Sequence, residues 1–454
     1  MAEVAISKAE LKEEIVARVD ARADSIVELG DAIFRNPETG YKEFQTAGRV
    51  QSALERLGLT VRSGLGITGL RTEIDTGRPG PTVALLGELD ALVVPGHPNA
   101  DPVTNAAHAC GHNAQCAGLV GAAMALTDRE VIGHLSGRIV FMAVPAEEFV
   151  EIQYRQSLAE AGHIEFLGGK PELVRLGVFD DVDMAILIHT SSPDTAEAPV
   201  EYAPSSNGFV AKVAAFAGRA AHVGRPEKGV NALKAAILAM NAIDAIRDTF
   251  PDADAIRVHP IVTRGGDLVN VVPSRATLEM YVRGRTVAAI AQQSAAVDRA
   301  LKAGALGLGA SVEITTVPGY APFRNYPALA DVFTPNAERV FGPGSVRWRT
   351  DHGGGSTDMG DLALIMPILQ PGMQGATGTA HGTTWRIADP ASGYLAPAKT
   401  LAMTAVDLLW GEAEVAREVI AREPAPMTRA EYLAFQRTLA RTEQFGEDPS
   451  EARA

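Results

Sequence analysis

Short apolar runs closed by ionisable residues recur along the first half of the chain. Thr82-Val-Ala-Leu-Leu-Gly87 leads into Glu88 and Asp90, and Arg138-Ile-Val-Phe-Met-Ala-Val144 leads into Glu147 and Glu148. Met184-Ala-Ile-Leu-Ile188 ends in His189. Runs of this length between turn residues predict strands buried on both faces. Elsewhere the pattern is helical. Ser7, with Glu10 three residues on, is a capping box opening a helix over 7–34. Asn36-Pro-Glu-Thr-Gly40 breaks it; further helices are predicted over 46–57 and 119–126. Leu362-Ala-Leu-Ile-Met-Pro-Ile-Leu369 is a late apolar run, followed by a glycine-rich loop and His381. Strands separated by helices predict an open α/β sheet, whose sites lie beyond the carboxyl ends of its strands. Asp90, Glu147, Glu148 and His189 all fall at such ends.

The middle of the chain changes period. A strand is predicted over 210–216, then an amphipathic helix over 231–250 with Leu233, Ile237, Met240, Ile243, Ile246 and Phe250 on one face. Strands over 257–262 and 276–282, a helix over 286–303 and a strand over 312–317 follow. The order β-α-β-β-α-β is the ferredoxin-like split unit. The expected organisation is an α+β domain of residues 206–320 inserted into a catalytic domain made of 1–205 and 321–420. A charged tail, 421–454, would carry an exposed helix over 428–444.

Composition narrows the partners. A chain of 454 residues exceeds one ordinary core, which agrees with two domains. The formal charge of −14 argues against nucleic acid or an anionic membrane as partner. The two cysteines make no disulfide framework, which points to a reducing compartment. Met1-Ala-Glu-Val-Ala-Ile-Ser-Lys8 has no apolar signal core, and no apolar run is long enough to span a bilayer. The expectation is a cytoplasmic protein acting on a small molecule.

Both cysteines lie in Asn105-Ala-Ala-His-Ala-Cys-Gly-His-Asn-Ala-Gln-Cys116, with His108, Cys110 and His112 inside five residues. A thiolate and imidazoles around a glycine turn suit zinc and similar divalent ions. Locally, a helix start in which Cys110 is a small buried hydrophobe competes with that reading. Cys110, His112, Glu147, Glu148, His189 and His381 together offer sulfur, nitrogen and oxygen donors sufficient for two ions. Such ions acidify a water and polarise a carbonyl. In the Glu147-Glu148 pair one carboxylate would bind metal and the other would carry the proton from water to the leaving nitrogen; the competing reading is a solvated loop end. His97, His134, His163 and His259 read as surface or structural, and His108 as a satisfied structural histidine. His352, in Asp-His-Gly-Gly-Gly, would border a pocket. Arg283, on the polar face of its strand, would form a salt bridge or grip a substrate carboxylate in bidentate fashion.

His-Ala-Cys110-Gly-His112-Asn, Pro-Ala-Glu147-Glu148, His189-Thr and Gly-Thr-Ala-His381 resemble the M20 metallopeptidase family. The resemblance is closest to its amidohydrolase branch, which holds aminoacylase-like, auxin-conjugate and aminobenzoyl-glutamate hydrolases. Asn36-Pro-Glu-Thr-Gly-Tyr-Lys-Glu-Phe44, Gly218-Arg-Ala-Ala-His222, Asn270-Val-Val-Pro273 and Ser356-Thr-Asp-Met-Gly-Asp361 extend it over most of residues 30–410. It implies Cys110 as a ligand shared by two divalent ions (zinc or manganese, with cobalt able to serve). His112, Glu148, His189 and His381 would complete the set, Glu147 would be the general base, and Asp90 would support the ligands from behind. The inserted domain would be a lid that dimerises, with His222 and Asn270 contacting substrate. Two departures stand out. Glu88 occupies the place where some members have a metal-binding histidine, and Gln115-Cys116 replaces the usual His-Thr. The implied activity is metal-dependent hydrolysis of a C–N bond in a small N-acyl amino acid, aryl-amide or dipeptide-like substrate. The alternatives are hydrolytic removal of an amino group from an activated aromatic ring, a non-catalytic metal-dependent binding protein, and a thiol enzyme using Cys110. Glu147 discriminates, because a pure binder needs no base beside a ligand carboxylate.

Overall fold

The computed structural model describes residues 6–194 and 196–449. The chain divides into two compact units. The first is drawn from Met1–Ser205, Arg324–Asp351 and Asp361–Arg429, and the second from Ser206–Phe323, His352–Gly360 and Ala430–Ala454. Among the described residues no helix is long and apolar enough to cross a membrane.

The first unit is built on a six-stranded mixed sheet in the order Arg62–Leu65, Gly69–Asp75, Arg138–Val144, Thr82–Glu88, Met184–Leu187, Ile368–Leu369. Thr82–Glu88 lies parallel to both neighbours, with Glu88 paired to Val144 and Leu86 to Leu187, so their carboxyl ends share one edge. Every residue of Thr82–Glu88 is buried, which explains an unbroken apolar run where a one-faced strand would alternate. His112–Leu126 and Ala396–Leu409 are packed against this core. They approach closely because Gly118 and Gly121 lack side chains: a Cβ there would come within 2.9 Å of Pro397 and 2.7 Å of Ala398.

Two expectations need correcting here. The helix over 7–34 is two helices, Lys8–Asp20 and Ala23–Phe34, although its capping box forms as expected; no glycine or proline marks the break. The helix expected from residue 119 already begins at His112. The late apolar run 362–369 contributes the sheet strand Ile368–Leu369; Met359–Leu362 before it is a helical turn, and Pro367 has no N–H to donate.

The second unit has the split order, with Gly208–Ala217, Ala232–Ile246, Arg257–Val258, Ile261–Arg264, Arg275–Gly284, Val287–Leu308 and Ser311–Pro318 in sequence. Its sheet runs Arg257–Val258, Arg275–Gly284, Gly208–Ala217, Ser311–Pro318, Arg441–Phe445, antiparallel throughout. The strand expected over 257–262 is split at His259-Pro260, since proline cannot donate to the ladder. The C-terminal segment is not one exposed helix. Arg429–Leu439 is helical, and Arg441–Phe445 then pairs with Ser311–Pro318, covering backbone groups that an open sheet edge would leave unpaired.

Candidate metal centre

The shared edge of the parallel strands carries the chemistry of the first unit. Thr82–Glu88 delivers Glu88 and then Asp90, Arg138–Val144 delivers Glu147 and Glu148, and Met184–Leu187 delivers His189. Cys110 and His112 come from the start of the helix His112–Leu126. Gly111 between them has φ +88°, and a Cβ there would lie 2.6 Å from Thr190 Cβ, so this turn requires glycine. His381 is brought in by its own backbone, whose N–H donates to Ala109 O at 2.8 Å.

Backbone carbonyls fix the imidazoles. His112 Nδ1 lies 2.8 Å from Asp90 O and 3.2 Å from Asp90 Oδ1, and His189 Nδ1 lies 2.8 Å from Thr190 O. A carbonyl only accepts, so each Nδ1 carries a proton; the neutral His189 presents a lone pair at Nε2, whereas on His112 a bound cation would take the place of the Nε2 proton. His189 Nε2 is 3.3 Å from Cys110 Sγ. On the other side, Glu148 Oε1 is 3.5 Å from His381 Nε2. Asp90 Oδ2 accepts from Glu148 N at 2.8 Å, and Arg155 donates to Glu148 O, so the loop that carries Glu148 is held from both directions. Glu147 Oε2 stands 3.9 Å from His112 Nε2. Among the described residues three donor sets form, each with its atoms within 4.8 Å of one another: Cys110 with His112 and His189, Cys110 with Glu148 and His381, and Glu88 with His112 and Glu147. Cys110 belongs to two of them.

These donors suit divalent ions on a test internal to the structure. His112 Nε2 and Glu148 Oε1 are buried polar atoms without a hydrogen-bond partner, an arrangement that costs free energy unless a cation is there to be bound. Charge points the same way. Burial and the nearby Glu148 carboxylate push the Cys110 thiol upward, which disfavours a free thiolate nucleophile and suits a thiolate formed on a metal. Burial holds His189 down at about 4, neutral and ready to ligate. Burial opposes charge on His112 as well, yet Glu88 and Asp90 raise it well above 6.5.

Residues 84–400 match the family described as Peptidase family M20/M25/M40. The chain belongs to that family. It is a hydrolase of carbon–nitrogen bonds and binds divalent metal. Among its relatives are the Xaa-Arg dipeptidase of Mus musculus, 28% identical over 423 residues, covering 88% of this chain and 89% of that protein. The indole-3-acetyl-aspartic acid hydrolase of Enterobacter agglomerans is 30% identical over 386 residues, covering 73% of this chain and 82% of that one. A solved Bacillus subtilis structure, described as a dinuclear metal binding peptidase from the M20 family, shares the fold with a TM-score of 0.62 at 20% identity, over 86% of this chain and 99% of that one.

The remaining candidates lie in the second unit. His222 and Asn270 are brought together there: His222 bridges Val271, and Val223 N donates to Asn270 O at 3.1 Å. Both are exposed. Arg283 lies over the rings of Tyr281 and Phe209, at 5.4 and 5.7 Å from their centroids, a cation–π setting that neither sequence reading anticipated. His352 Nε2 lies 2.8 Å from Asn207 Oδ1. His97 is structural, placed between Trp385 O and Asn99 N at 2.9 and 3.1 Å. His108 differs from expectation: it is buried, but neither ring nitrogen has a hydrogen-bond partner.

Behind the donors stand residues whose part in the site was not legible in the sequence. Lys170 is fully buried, 2.6 Å from Glu88 Oε1. Although burial opposes charge on Glu88, Lys170 and His112 hold it at about 2. Gln115 Nε2 donates to Glu88 Oε2 at 2.8 Å, and Gln115 Oε1 accepts from Glu88 N at 3.0 Å. Glu43 accepts from Ala146 N at 2.8 Å and from Thr68 Oγ1 at 2.7 Å; burial, then Asp90, raises it to about 8.

Proposed function

We propose that the chain is a metal-dependent amidohydrolase that cleaves the C–N bond of a small N-acyl amino acid, aryl-amide or dipeptide-like substrate. The observation that carries this reading is the position of Cys110 in two donor sets, one with His112 and His189 and one with Glu148 and His381. A thiolate, imidazoles and a carboxylate suit zinc, with manganese or cobalt as substitutes. Bound there, divalent ions supply an acidified water and a polarised carbonyl.

The chain's own residues do the rest. Glu147, adjacent in sequence to the ligand Glu148 and buried beside His112, takes the proton from water and passes it to the leaving nitrogen, whose departure as a neutral amine requires it. Asp90 holds His112 through Nδ1 and Glu148 through its N–H, so one carboxylate orients ligands from both donor sets. The relatives named for Xaa-Arg dipeptides and for an indole-3-acetyl-aspartic acid conjugate support an amide beside an amino-acid carboxylate as the substrate class.

The same reading includes a cytoplasmic homodimer formed through the second unit, in which His222 and Asn270 serve a substrate. Their adjacency and exposure support this, as do the exposed Ile261, Leu268 and Val269 on that unit. The deciding experiment is a screen of metal-loaded protein against N-acyl amino acids, aminobenzoyl-glutamate, dipeptides and aromatic amines. Release of an amine and a carboxylate from an amide is expected; turnover of the aromatic amines alone would replace amide cleavage with deamination.

A further inference from the structure

Two non-glycine residues with left-handed backbone bracket the Glu147-Glu148 pair: Ala146 and Glu151, each at φ +52°. An L residue keeps that conformation only where its surroundings hold it. Glu151 is held through its side chain, which accepts from Thr39 Oγ1 and from Lys42 Nζ, each at 2.6 Å. Ala146 is held through its backbone. Its N–H donates to Glu43 Oε1 at 2.8 Å, and its carbonyl accepts from Gly169 N at 3.1 Å and from Arg155 at 3.3 Å.

Arg155 reaches further than that one carbonyl. It is completely buried, and its guanidinium also donates to Leu167 O at 2.8 Å and to Glu148 O. Gly40 makes room for it: a Cβ there would come within 2.3 Å of Arg155 Nη2 and 2.8 Å of Ala146 Cα. A buried cation is tolerated only where its donors find acceptors. Two of the acceptors here are the carbonyls of residues 146 and 148, which belong to the peptides just before Glu147 and just after Glu148. The peptide between the two glutamates is tied in turn by Glu148 N to Asp90 Oδ2 at 2.8 Å. With all three peptides fixed the side chains part, Glu147 grouping with Glu88 and His112, and Glu148 with Cys110 and His381.

We infer that Arg155 is a positioning residue for the carboxylate pair. By holding the carbonyls of Ala146 and Glu148 it maintains the left-handed turn at Ala146 and so keeps Glu147 and Glu148 in separate donor sets. The inference rests on the roles proposed above for Glu147 as base and Glu148 as ligand.

The test uses an amide that the unmodified protein hydrolyses. Arg155→Lys keeps a buried charge but replaces the planar fork with one compact ammonium, which cannot span the same carbonyls. Per folded molecule, measured by circular dichroism, kcat should fall by roughly 10², the cost of a catalytic group displaced by about 1 Å. KM should stay within about threefold, because substrate binding is untouched. One Zn²⁺ should bind about 10- to 100-fold more weakly, as for other losses behind a ligand, and the visible spectrum of the Co²⁺-loaded protein should change. Arg155→Gln, which keeps an amide donor, takes its place should Arg155→Lys not fold. The decisive variant adds Ala146→Gly. Glycine adopts the left-handed turn without being held, so Arg155→Lys/Ala146→Gly should recover at least about 10-fold in kcat if the arginine acts through that turn. A variant that is merely less stable, with kcat and Co²⁺ spectrum unchanged, would overturn the inference, as would a double variant without recovery. Absence of amide hydrolysis by the unmodified protein would instead overturn the function on which the inference rests.

Discussion

His112 in the first unit and His222 in the second stand in opposite physical states. His112 is buried, its Nδ1 is tied to Asp90, and its Nε2 faces Cys110, Glu88 and Glu147. His222 is exposed, and its Nδ1 merely accepts from Gly224 N at 3.0 Å, two residues away. The same contrast holds for their neighbours. Around His112, the Glu88 carboxylate is braced by Lys170 and Gln115 and the backbone of Glu148 by Arg155, inside a core; around His222, Asn270 lies on an exposed loop. A buried cluster of like charges persists only when something of opposite sign compensates it, so the first region is shaped around a cation. The second carries no such cost and is free to meet whatever arrives from solvent. Metal content should therefore depend on the first region alone, and turnover on both.

The largest effect should come from Cys110. Cys110→Ala removes the donor common to both sets, so elemental analysis should find both ions lost and turnover abolished; undiminished activity would exclude a shared thiolate. Glu147 and Glu148 come next and should separate. Glu147→Gln should keep metal and lose roughly 10²–10⁴ in kcat, the scale of general-base catalysis, whereas Glu148→Gln should lose metal. The reverse pattern would exchange their roles.

That the pair would separate is legible from sequence, and the reason bears on what else was. Long apolar runs ending in acids and histidines predict buried parallel strands, and parallel strands bring their carboxyl ends to one edge. The convergence of Asp90, Glu147, Glu148 and His189 follows from pattern alone. Lys170 is different. It sits in Gly168-Gly-Lys-Pro171, where nothing periodic marks it, and its pairing with Glu88 spans 82 residues. Arg155 is similarly hidden inside a short helix, Ile152–Glu160. Compensating charges are set by tertiary approach, which leaves no trace in local spacing. The strand Arg441–Phe445 escaped notice for a related reason: it forms because Ser311–Pro318 offers an open edge, not because its own residues alternate.

In the second region a smaller effect of another kind is expected. His222→Ala should lower kcat by roughly 10², the scale of one donor to a developing oxyanion, with metal content unchanged. Mixing it with Glu147→Gln under subunit exchange sharpens the contrast. If His222 serves the partner's site, each mixed dimer contains one site with both groups intact, and activity returns. Proven exchange without recovery would assign His222 to its own chain or to the bare surface.

The smallest effect belongs to Glu43, which braces the first region from behind and touches no donor atom. Its carboxyl is raised from the ordinary 4.5 to about 8 in the fold, by burial first and by Asp90 second. Between those values the folded protein keeps a proton that the unfolded chain has released, so rising pH favours unfolding. The contribution is whole below about 4.5 and is lost as pH rises through about 8. Glu43→Gln resembles the protonated acid at every pH and cannot titrate. In metal-free protein, chemical denaturation at about pH 5 should find the two forms similar, while at about pH 9 the variant should be more stable by an amount on the order of a few kcal/mol. Parallel stability curves across that window would mean that Glu43 is already ionised in the fold. The first region would then carry one more uncompensated negative charge, and its need for a cation would be greater still.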